Sequence, residues 1–231
     1  MAVDDSYTKA LLHMDGSDAS TTFTDESGKT WTRSGNAQID TAQYVFGGAS
    51  GLFDGTGDCI GTPDNADFDI GAGDFTFDFR IRFAAIGGAG SVHLLLEQND
   101  SASQRGYGLG LLDGTTLYFF WTTDGTGGTF ATVTASWSPS INIWYHIAVT
   151  RSGTSLRFFI NGTQIGSTGT ISATIFNSNQ PFEIAGGLLS SNYTNGWIDE
   201  FRFSKGIARW TSNFTPPTAP YGIGHQVIWS S

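Results

Sequence analysis

Hydrophobic and polar residues alternate along short runs of this chain, and turn residues separate the runs. In the clearest run, Phe75–Phe83, Phe or Ile at every second position alternates with Thr, Asp or Arg. Successive side chains of a strand point to opposite faces of a sheet, so this period of two predicts a half-buried β-strand. Similar runs recur along the whole chain, and no segment keeps a helical period for more than a few turns. The pattern therefore predicts an all-β fold.

The predicted strands are short and are rich in β-branched and aromatic residues. Besides Phe75–Phe83 they are Lys9–Met14, Thr30–Thr32, Ala37–Ile39, Gly51–Phe53, His93–Leu96, Tyr107–Leu112, Thr116–Thr122, Phe130–Ala135, Trp144–Arg151, Leu156–Ile160, Gln164–Ile165, Phe182–Ala185 and Trp197–Phe203. Asn161-Gly162 predicts a two-residue hairpin turn. No linker divides these strands, so we expect one domain over residues 1–221 and a C-terminal tail over residues 222–231.

Composition and charge narrow the classes of function. The chain has 231 residues, of which 39% are hydrophobic and 14% charged, and this composition suits a folded domain with a sizeable core. The formal net charge of -10 argues against nucleic acid as a partner, because phosphate neutralisation needs Lys and Arg. Cys59 stands alone, which excludes an intrachain disulfide. The N-terminus is polar and no apolar stretch approaches a membrane span, so we expect neither a signal peptide nor membrane insertion.

Six segments, in this order along the chain, resemble concanavalin A-like (laminin G-like) domains. They are Leu12–Gly16, Phe46–Gly55, Gly73–Arg80, Trp144–Arg151, Phe159–Gly162 and Gly196–Phe203. The resemblance implies a two-sheet antiparallel β-sandwich of the concanavalin A-like jelly-roll type. Domains of this superfamily serve as lectins, carbohydrate-binding modules and adhesion domains, and in some branches as glycoside hydrolases or polysaccharide lyases. The fold alone therefore does not decide the function.

The segments Ser204–Trp210 and Phe214–Pro217 resemble versions of this domain that are common in bacteriophage virion and tail-associated proteins. This likeness implies a place on a virion or on another extracellular surface. Similar modules also occur in bacterial surface proteins, so both settings stay open.

The residues that could support catalysis do not fall in a catalytic pattern. Hydrolases of the superfamily carry two glutamates on one strand, in a Glu-x-Asp-x-x-Glu arrangement, as a retaining mechanism requires two close carboxylates. No such spacing occurs, and no two of the four glutamates share a predicted strand; they are Glu26, Glu97, Glu183 and Glu200. Tyr145-His146 lies in the central hairpin, where packing is the better interpretation. We therefore predict that the protein is not an enzyme.

Asp199 is a predicted metal ligand. In Trp197–Phe203 it has the parity of the aromatic residues, which predicts a carboxylate on the apolar side, where a charge is costly unless it is paired. Relatives of this fold often hold calcium at the closing-strand aspartate together with oxygens from the N-terminal strand and an early turn, and the matching positions here are Asp15 and Asp54. Hard oxygen ligands suit Ca²⁺. The alternative is that Asp199 accepts hydrogen bonds from a turn while Asp15 and Asp54 cap loops.

Four residues are candidates for a ligand-binding surface. Arg105 and Tyr107 belong to a polar loop, Trp121 precedes an Asp-Gly turn, and Tyr193 lies in the polar segment 190–195. Aromatic faces flanked by planar polar side chains are typical of sugar sites. The alternative for each aromatic residue is ordinary packing.

These observations lead to one main hypothesis and two rivals. The main hypothesis is a non-catalytic, surface-displayed binding module, on a phage particle, that recognises glycans and binds structural Ca²⁺. The first rival is a structural virion protein, a capsid decoration or tail component, that acts through contacts with virion proteins or with further copies of itself. The second rival is a diverged glycoside hydrolase or polysaccharide lyase.

Overall fold

The structure, a computed structural model, describes residues 6–99, 103–187 and 192–222. Within these ranges the chain forms fifteen strands and two short 3-10 helices, over Ala66–Phe68 and Gly127–Thr129. The strands are β1 Thr8–Leu12, β2 Thr32–Ser34, β3 Gln38–Asp40, β4 Ser50–Asp54, β5 Cys59–Thr62, β6 Phe75–Phe83, β7 Val92–Gln98, β8 Tyr107–Leu112, β9 Thr116–Trp121, β10 Ala131–Ser136, β11 Trp144–Ser152, β12 Ser155–Ile160, β13 Thr163–Thr170, β14 Phe182–Ile184 and β15 Asn195–Lys205.

The strands form two antiparallel sheets. Sheet A has the order β13-β12-β11-β6-β15-β4-β3, and β1 also pairs with β15. Sheet B has the order β10-β9-β8-β7-β14-β5-β2. Because β6 occupies one edge of β15, strands β1 and β4 share the other edge, one at each end. The predicted all-β, two-sheet antiparallel sandwich is confirmed.

Phenylalanine side chains from both sheets fill the space between them. Phe77 of β6 and Phe203 of β15 stack with ring centroids 4.5 Å apart, and Phe182 of β14 stacks on Phe68 at the same distance. The alternating pattern of Phe75–Phe83 is observed as predicted, with its Phe and Ile side chains fully buried.

Strand β13 is longer than the sequence pattern predicted. It runs over eight residues, whereas alternation indicated only Gln164–Ile165. Its Gly166 and Gly169 approach Ala135 and Val133 of β10 so closely that a Cβ at either glycine would overlap them. These glycines let β13, at the edge of sheet A, approach β10, at the edge of sheet B. Because glycine has no side chain, it does not contribute to an alternating hydrophobic pattern.

A bulge in β15 changes the face on which its side chains lie. The three steps along β15 from Asp199 to Arg202 lie opposite only two steps of β6, from Arg80 to Asp78, and Glu200 has a φ of +52°. Ile198 lies in the core before the bulge, and Phe201 and Phe203 lie in the core after it. Asp199 precedes the extra residue and follows Ile198, so its side chain lies on the outer face of sheet A. Without the extra residue it would lie on the same face as Phe201 and Phe203.

Residues 206–221, which we call the strap, cross the outer face of sheet A. Thr76 Oγ1 donates to the carbonyl of Ile207 at 3.0 Å, and Thr150 Oγ1 donates to that of Trp210 at 2.8 Å. Farther along, the Phe214 N–H donates to the carbonyl of Gly162 at 2.9 Å. The strap therefore covers a polar half of the outer face of sheet A. A charged side chain beneath it can be buried only together with its hydrogen-bond or ion-pair partners.

Candidate functional site

The outer face of sheet B carries a strip of aromatic and acidic side chains. Along β9, Leu117, Phe119 and Trp121 face the core, so Tyr118 and Phe120 point outwards. Tyr118 lies opposite Gly110 of β8 and Phe120 lies opposite Gly108. Of these two outward-pointing rings, Tyr118 is partly exposed and Phe120 is only 4% exposed.

Tyr118, Phe120 and Phe130 form a flat group that we call the aromatic platform. A Cβ at Gly110 or Gly108 would come within 2.8 Å of the Tyr118 ring or 2.5 Å of the Phe120 ring, so both rings lie directly on the glycine backbone. Their centroids are 5.9 Å apart with planes at 25°, and the Phe130 centroid is 5.1 Å from that of Phe120. Phe130 is 42% exposed. The platform is therefore an apolar surface with one end open to solvent.

Arg105, a predicted ligand-binding residue, lies at the open end of the platform. Its guanidinium carbon is 5.3 Å from the centroid of the Phe130 ring, within the range of a cation–π contact. The Arg105 carbonyl also accepts a hydrogen bond from Thr122 Oγ1. The structure therefore places a planar cationic group beside an exposed aromatic face.

Two buried glutamates stand side by side next to the platform. Glu97 of β7 lies directly opposite Glu183 of β14, and they are only 1% and 4% exposed. A Cβ at Gly187 would lie 1.5 Å from Glu97 Oε1 and 3.2 Å from Glu183 Oε2, so both carboxylates converge on this glycine. Asn99 Nδ2 donates to Glu97 Oε2 at 3.2 Å. Sequence reasoning missed this pair because it searched for two glutamates on one strand.

Tyr193, another predicted ligand-binding residue, is partly exposed and lies on the far side of the glutamate pair. Its pKa is raised first by burial and then by the negative charges of Cys59, Glu183 and Glu97. Burial, with the charge of Glu97, raises the pKa of Tyr118 to about 12. The two tyrosines thus flank the carboxylates on one face of sheet B.

The structure corrects the placement of Tyr107 and Trp121. Both were predicted to contact a ligand, but they are 1% and 5% exposed and belong to the core. The Tyr107 hydroxyl donates to the carbonyl of Phe68 at 3.0 Å, so its polar atom is already satisfied. Successive residues of a strand point to opposite faces, so Tyr107 points inwards where Gly108 points outwards, and Trp121 points inwards where Phe120 points outwards.

The carboxylate of Asp199 is fully buried, but not on the predicted side. Its Oδ2 accepts hydrogen bonds from the N–H groups of Val45 and Phe46 at 2.7 and 3.1 Å, whereas its Oδ1 is buried with no hydrogen-bond partner in the described part of the chain. Strand alternation predicted that the Asp199 side chain points towards the apolar core. That prediction is wrong, because the bulge at Glu200 changes which side chains of β15 point inwards. Burial raises the pKa of Asp199 to about 7 against those two hydrogen bonds, with the charges of Glu200 and Asp15 adding to the increase.

Only two of the three predicted metal ligands come together. Asp15 packs against Gly47, where a Cβ would lie 2.0 Å from either carboxylate oxygen, and Asp199 accepts from the N–H groups of Val45 and Phe46, so both carboxylates contact the segment 45–47. Asp54 lies opposite Asn195, at the other end of the ladder between β4 and β15, and its Oδ1 accepts from the Thr56 N–H. The predicted set is corrected accordingly, because four residues of strand separate Asp54 from Asp199.

Two findings concern metals and membranes. In the described ranges, no three His, Cys, Asp or Glu side chains are grouped so that they could hold a metal ion. No helix in the part of the chain that the structure describes is long and apolar enough to cross a membrane.

A family model for the concanavalin A-like lectin/glucanases superfamily matches residues 54–209. The chain therefore belongs to this superfamily, as the resemblance implied. No curated protein matches the sequence.

Solved structures with the same fold include binding domains. The binding domain of Paraclostridial Mosquitocidal Protein 1 matches with a TM-score of 0.68 and 19% identity, over 87% of this chain and 49% of that one. The binding domain of botulinum neurotoxin DC, in complex with SialylT, matches with a TM-score of 0.61 and 16% identity, over 87% and 49%. Domain 4 of AbnA, an extracellular arabinanase from Geobacillus stearothermophilus in complex with arabinotriose, matches with a TM-score of 0.63 and 16% identity, over 87% and 94%. The chain spans about half the length of the toxin domains, and identities this low show a shared fold.

Proposed function

We propose that this protein is a non-catalytic glycan-binding module and that sugar binds on the outer face of sheet B. The aromatic platform is the observation that carries this proposal. Tyr118 is partly exposed and Phe130 is exposed to solvent, while Phe120, 4% exposed, packs against both. The group therefore gives an apolar surface of the kind on which the C–H face of a sugar ring packs, and Arg105 lies beside its exposed end.

The glutamate pair sets the charge of this site. Glu97 and Glu183 lie opposite each other on adjacent strands and are 1% and 4% exposed, so they lie beneath the outer surface and act on a ligand through their charge. Tyr193 stands on the opposite side from the platform, so aromatic groups flank the carboxylates at both ends. The bound SialylT and arabinotriose of two structural relatives support a sugar as the ligand class.

A binding titration with single variants tests the proposal. Neutral oligosaccharides, arabinotriose among them, are screened on an array and the best ligand is titrated by calorimetry. Tyr118→Ala and Phe130→Ala are expected to weaken binding by about tenfold each, the effect of losing one stacked ring. Ile141→Ala is the control, because Ile141 is as exposed as Phe130 but lies in a distant loop. Equal affinity in all four proteins, or an array without any binding, would refute the site.

The glutamate pair also favours a second candidate, glycoside hydrolysis. Retaining hydrolases hold two carboxyl groups about 5–5.5 Å apart, and both Glu97 and Glu183 approach the same glycine. Product release from a polysaccharide panel tests this candidate. Activity that is lost in Glu183→Gln would establish it, and the absence of product from every substrate would dismiss it.

We further propose that Asp15 and Asp199 hold a structural Ca²⁺. The buried Oδ1 of Asp199 has no hydrogen-bond partner among the described residues, and the Asp15 carboxylate, which contacts the same segment 45–47, would supply a second hard oxygen. A cation here would offset the cost of burying the Asp199 charge. Asp54 is not part of this proposal.

The prediction of self-association rests on the loops and on the C-terminal tail, of which residues 223–231 lie outside the described residues, whereas that of a virion location rests on Ser204–Trp210 and Phe214–Pro217. In the structure these segments form most of the strap, and Trp210 and Phe214 stack on each other at 4.0 Å against sheet A. Their sequence therefore has an intramolecular role as well. The particle setting remains a prediction, which mass spectrometry of purified particles and the solution mass of the protein would test.

A further inference from the structure

A row of five side chains crosses the outer face of sheet A beyond the strap. Trp144 of β11 lies opposite Arg82 of β6, which lies opposite Trp197 of β15. Trp197 in turn lies opposite Leu52 of β4, and Leu52 lies opposite Gln38 of β3. Directly opposed residues share one face of a sheet, so these five form a continuous surface, which we call the Trp–Arg row.

The row is accessible and its central arginine is held in place. All five side chains are partly exposed, whereas Phe83 and Ile198, which flank Arg82 and Trp197 in sequence, are buried in the core. The Arg82 guanidinium carbon lies 4.7 Å from the centroid of the Trp197 ring. Trp197 Nε1 donates to Asp40 Oδ2 at 2.5 Å, which fixes the indole on which the guanidinium rests. An arginine ordered by stacking loses little further freedom when it binds a ligand.

The guanidinium of Arg82 has no ion-pair or hydrogen-bond partner among the described residues. Three other arginines of sheet A are occupied: Arg202 pairs with Asp78, Arg80 donates to the Pro217 carbonyl, and Arg151 donates to the Gly71 carbonyl. The strap's hydrogen bonds within the described ranges do not reach Trp144, Arg82 or Trp197. In a chain with a net charge of -10, an unpaired and ordered cation on an aromatic surface marks a place for an anion.

We propose that the Trp–Arg row is a second binding site, specific for sugars that carry a carboxylate. The sugar ring packs on the face of Trp144, and its carboxylate accepts two parallel N–H donors from Arg82. Gln38, at the other end of the row, is placed to meet a neighbouring hydroxyl. This site differs from the sheet B site in its charge, because the latter presents two glutamates that disfavour an anionic sugar. The two surfaces lie on opposite outer faces of the sandwich and bind independently.

Calorimetric titration of the full chain with matched ligands tests the proposal. Trigalacturonic acid and 3′-sialyllactose are the acidic probes, and methyl-esterified trigalacturonic acid and lactose are their neutral counterparts. We expect the acidic probes to bind at least about tenfold more tightly than the neutral ones, and Arg82→Gln to remove that difference. Trp144→Ala is expected to weaken both acidic probes. The matched control is Arg33→Gln, since Arg33 is an exposed arginine at the edge of sheet B.

Each outcome supports or overturns the site. Unchanged acidic-probe affinity in Arg82→Gln, or equal affinity of wild-type protein for acid and ester, overturns the proposal. Equal competition by a glutamate oligopeptide overturns the assignment to a sugar. If Arg82→Gln fails to fold, the acid-to-ester comparison on wild-type protein and an Arg82→Lys variant decide in its place. Tyr118→Ala separates this site from the sheet B site: acidic-probe binding should persist in that variant whether or not neutral glycans bind sheet B.

Discussion

Replacing Arg202 by methionine should destabilise the fold, because the buried carboxylate of Asp78 then loses the cation that compensates its charge. Asp78 is fully buried on the outer face of sheet A, and Arg202 donates to it through Nε and Nη2 at 3.0 and 3.1 Å. The Tyr221 hydroxyl of the strap also donates to Asp78, and the Arg202 guanidinium lies 3.8 Å from the Tyr221 ring. Arg202→Met keeps most of the volume but leaves the Asp78 carboxylate without its cation.

The size of the effect follows from burial. Removing one partner of a buried ion pair costs about 3–5 kcal/mol, out of the roughly 5–15 kcal/mol by which a domain is stable. In the wild-type protein, burial opposes ionisation of Asp78, but the charge of Arg202 and the imidazole of His146, whose Nε2 lies 3.6 Å from Asp78 Oδ2, overcome it and lower the pKa to about 2. The ionised carboxylate is therefore stabilising above its unfolded pKa of 3.8, by about 2 kcal/mol, and this contribution is lost as the pH falls towards 2.

Denaturant unfolding followed by tryptophan fluorescence measures both effects. At pH 7, Arg202→Met should lose about 3–5 kcal/mol of unfolding free energy. Without its cation, buried Asp78 should have a pKa above 3.8, so the difference between the two proteins should begin to shrink as the pH falls through that raised pKa and should keep shrinking towards pH 2. The double variant Asp78→Asn/Arg202→Met should regain about 2 kcal/mol, because no buried charge remains.

Two results would refute this reasoning. A loss below about 1 kcal/mol at pH 7 would mean that Asp78 is not a buried, compensated charge. A double variant no more stable than Arg202→Met would mean that the loss comes from packing against Tyr221 and Trp210 rather than from charge.

Three further predictions concern other groups. His146 and His13 should change stability with pH in opposite directions. Burial lowers the pKa of His146, so its contribution to the free energy of unfolding is lost as the pH falls below about 6.5. The hydrogen bond to Glu200 raises the pKa of His13, so its contribution is lost as the pH rises through that raised value. Urea unfolding of His146→Gln and His13→Gln at pH 5.5 and 8 checks this, and two variants with the wild-type pH slope would contradict it. Gly108→Ala should cost about 1–3 kcal/mol, because its Cβ would lie 2.5 Å from the Phe120 ring, while the control Gly88→Ala meets nothing within 4 Å and should stay near wild type in thermal melts. Calcium should raise the melting temperature of the wild-type protein but not that of Asp199→Asn, and an equal rise in both would exclude the Asp15–Asp199 site.

The sheet architecture could be predicted because it rests on a local signal. The alternation of Phe75–Phe83 and the Asn161-Gly162 turn depend only on neighbours in sequence, and both are found in the structure, the turn with φ values of +50° and +78°. Strand β13 was underestimated, since its glycines carry no pattern. The fold class was therefore readable from the sequence, whereas strand length was readable only where side chains alternate.

The candidate site was only partly predictable, for reasons of register. Arg105 and Tyr193 lie on the outer face of sheet B, where we propose that a sugar binds, but Tyr107 and Trp121 are one residue out of phase with that face. The Glu97–Glu183 and Trp144–Arg82–Trp197 alignments depend on which strands pair, and residues far apart in the chain give no local signal of pairing. A missed bulge had the same effect on Asp199. The face of its side chain was inferred from Phe201 and Phe203, which lie beyond the extra residue, and one inserted residue reverses the alternation between the two sides of a bulge.

The bulge at Glu200 and the strap together account for where a ligand can bind. The extra residue lets Phe201 and Phe203 enter the core while Arg202 stays on the outer face, where it meets Asp78. That ion pair needs cover from water, and Tyr221 and Trp210 of the strap provide it. Half of the outer face of sheet A is thus committed to the chain's own C-terminal segment. Exposed aromatic surface is left at the Trp–Arg row, whose Arg82 has no ion-pair or hydrogen-bond partner among the described residues, and on sheet B, which holds two carboxylates. Under the two proposals above, the charge of a sugar therefore decides which surface it can occupy.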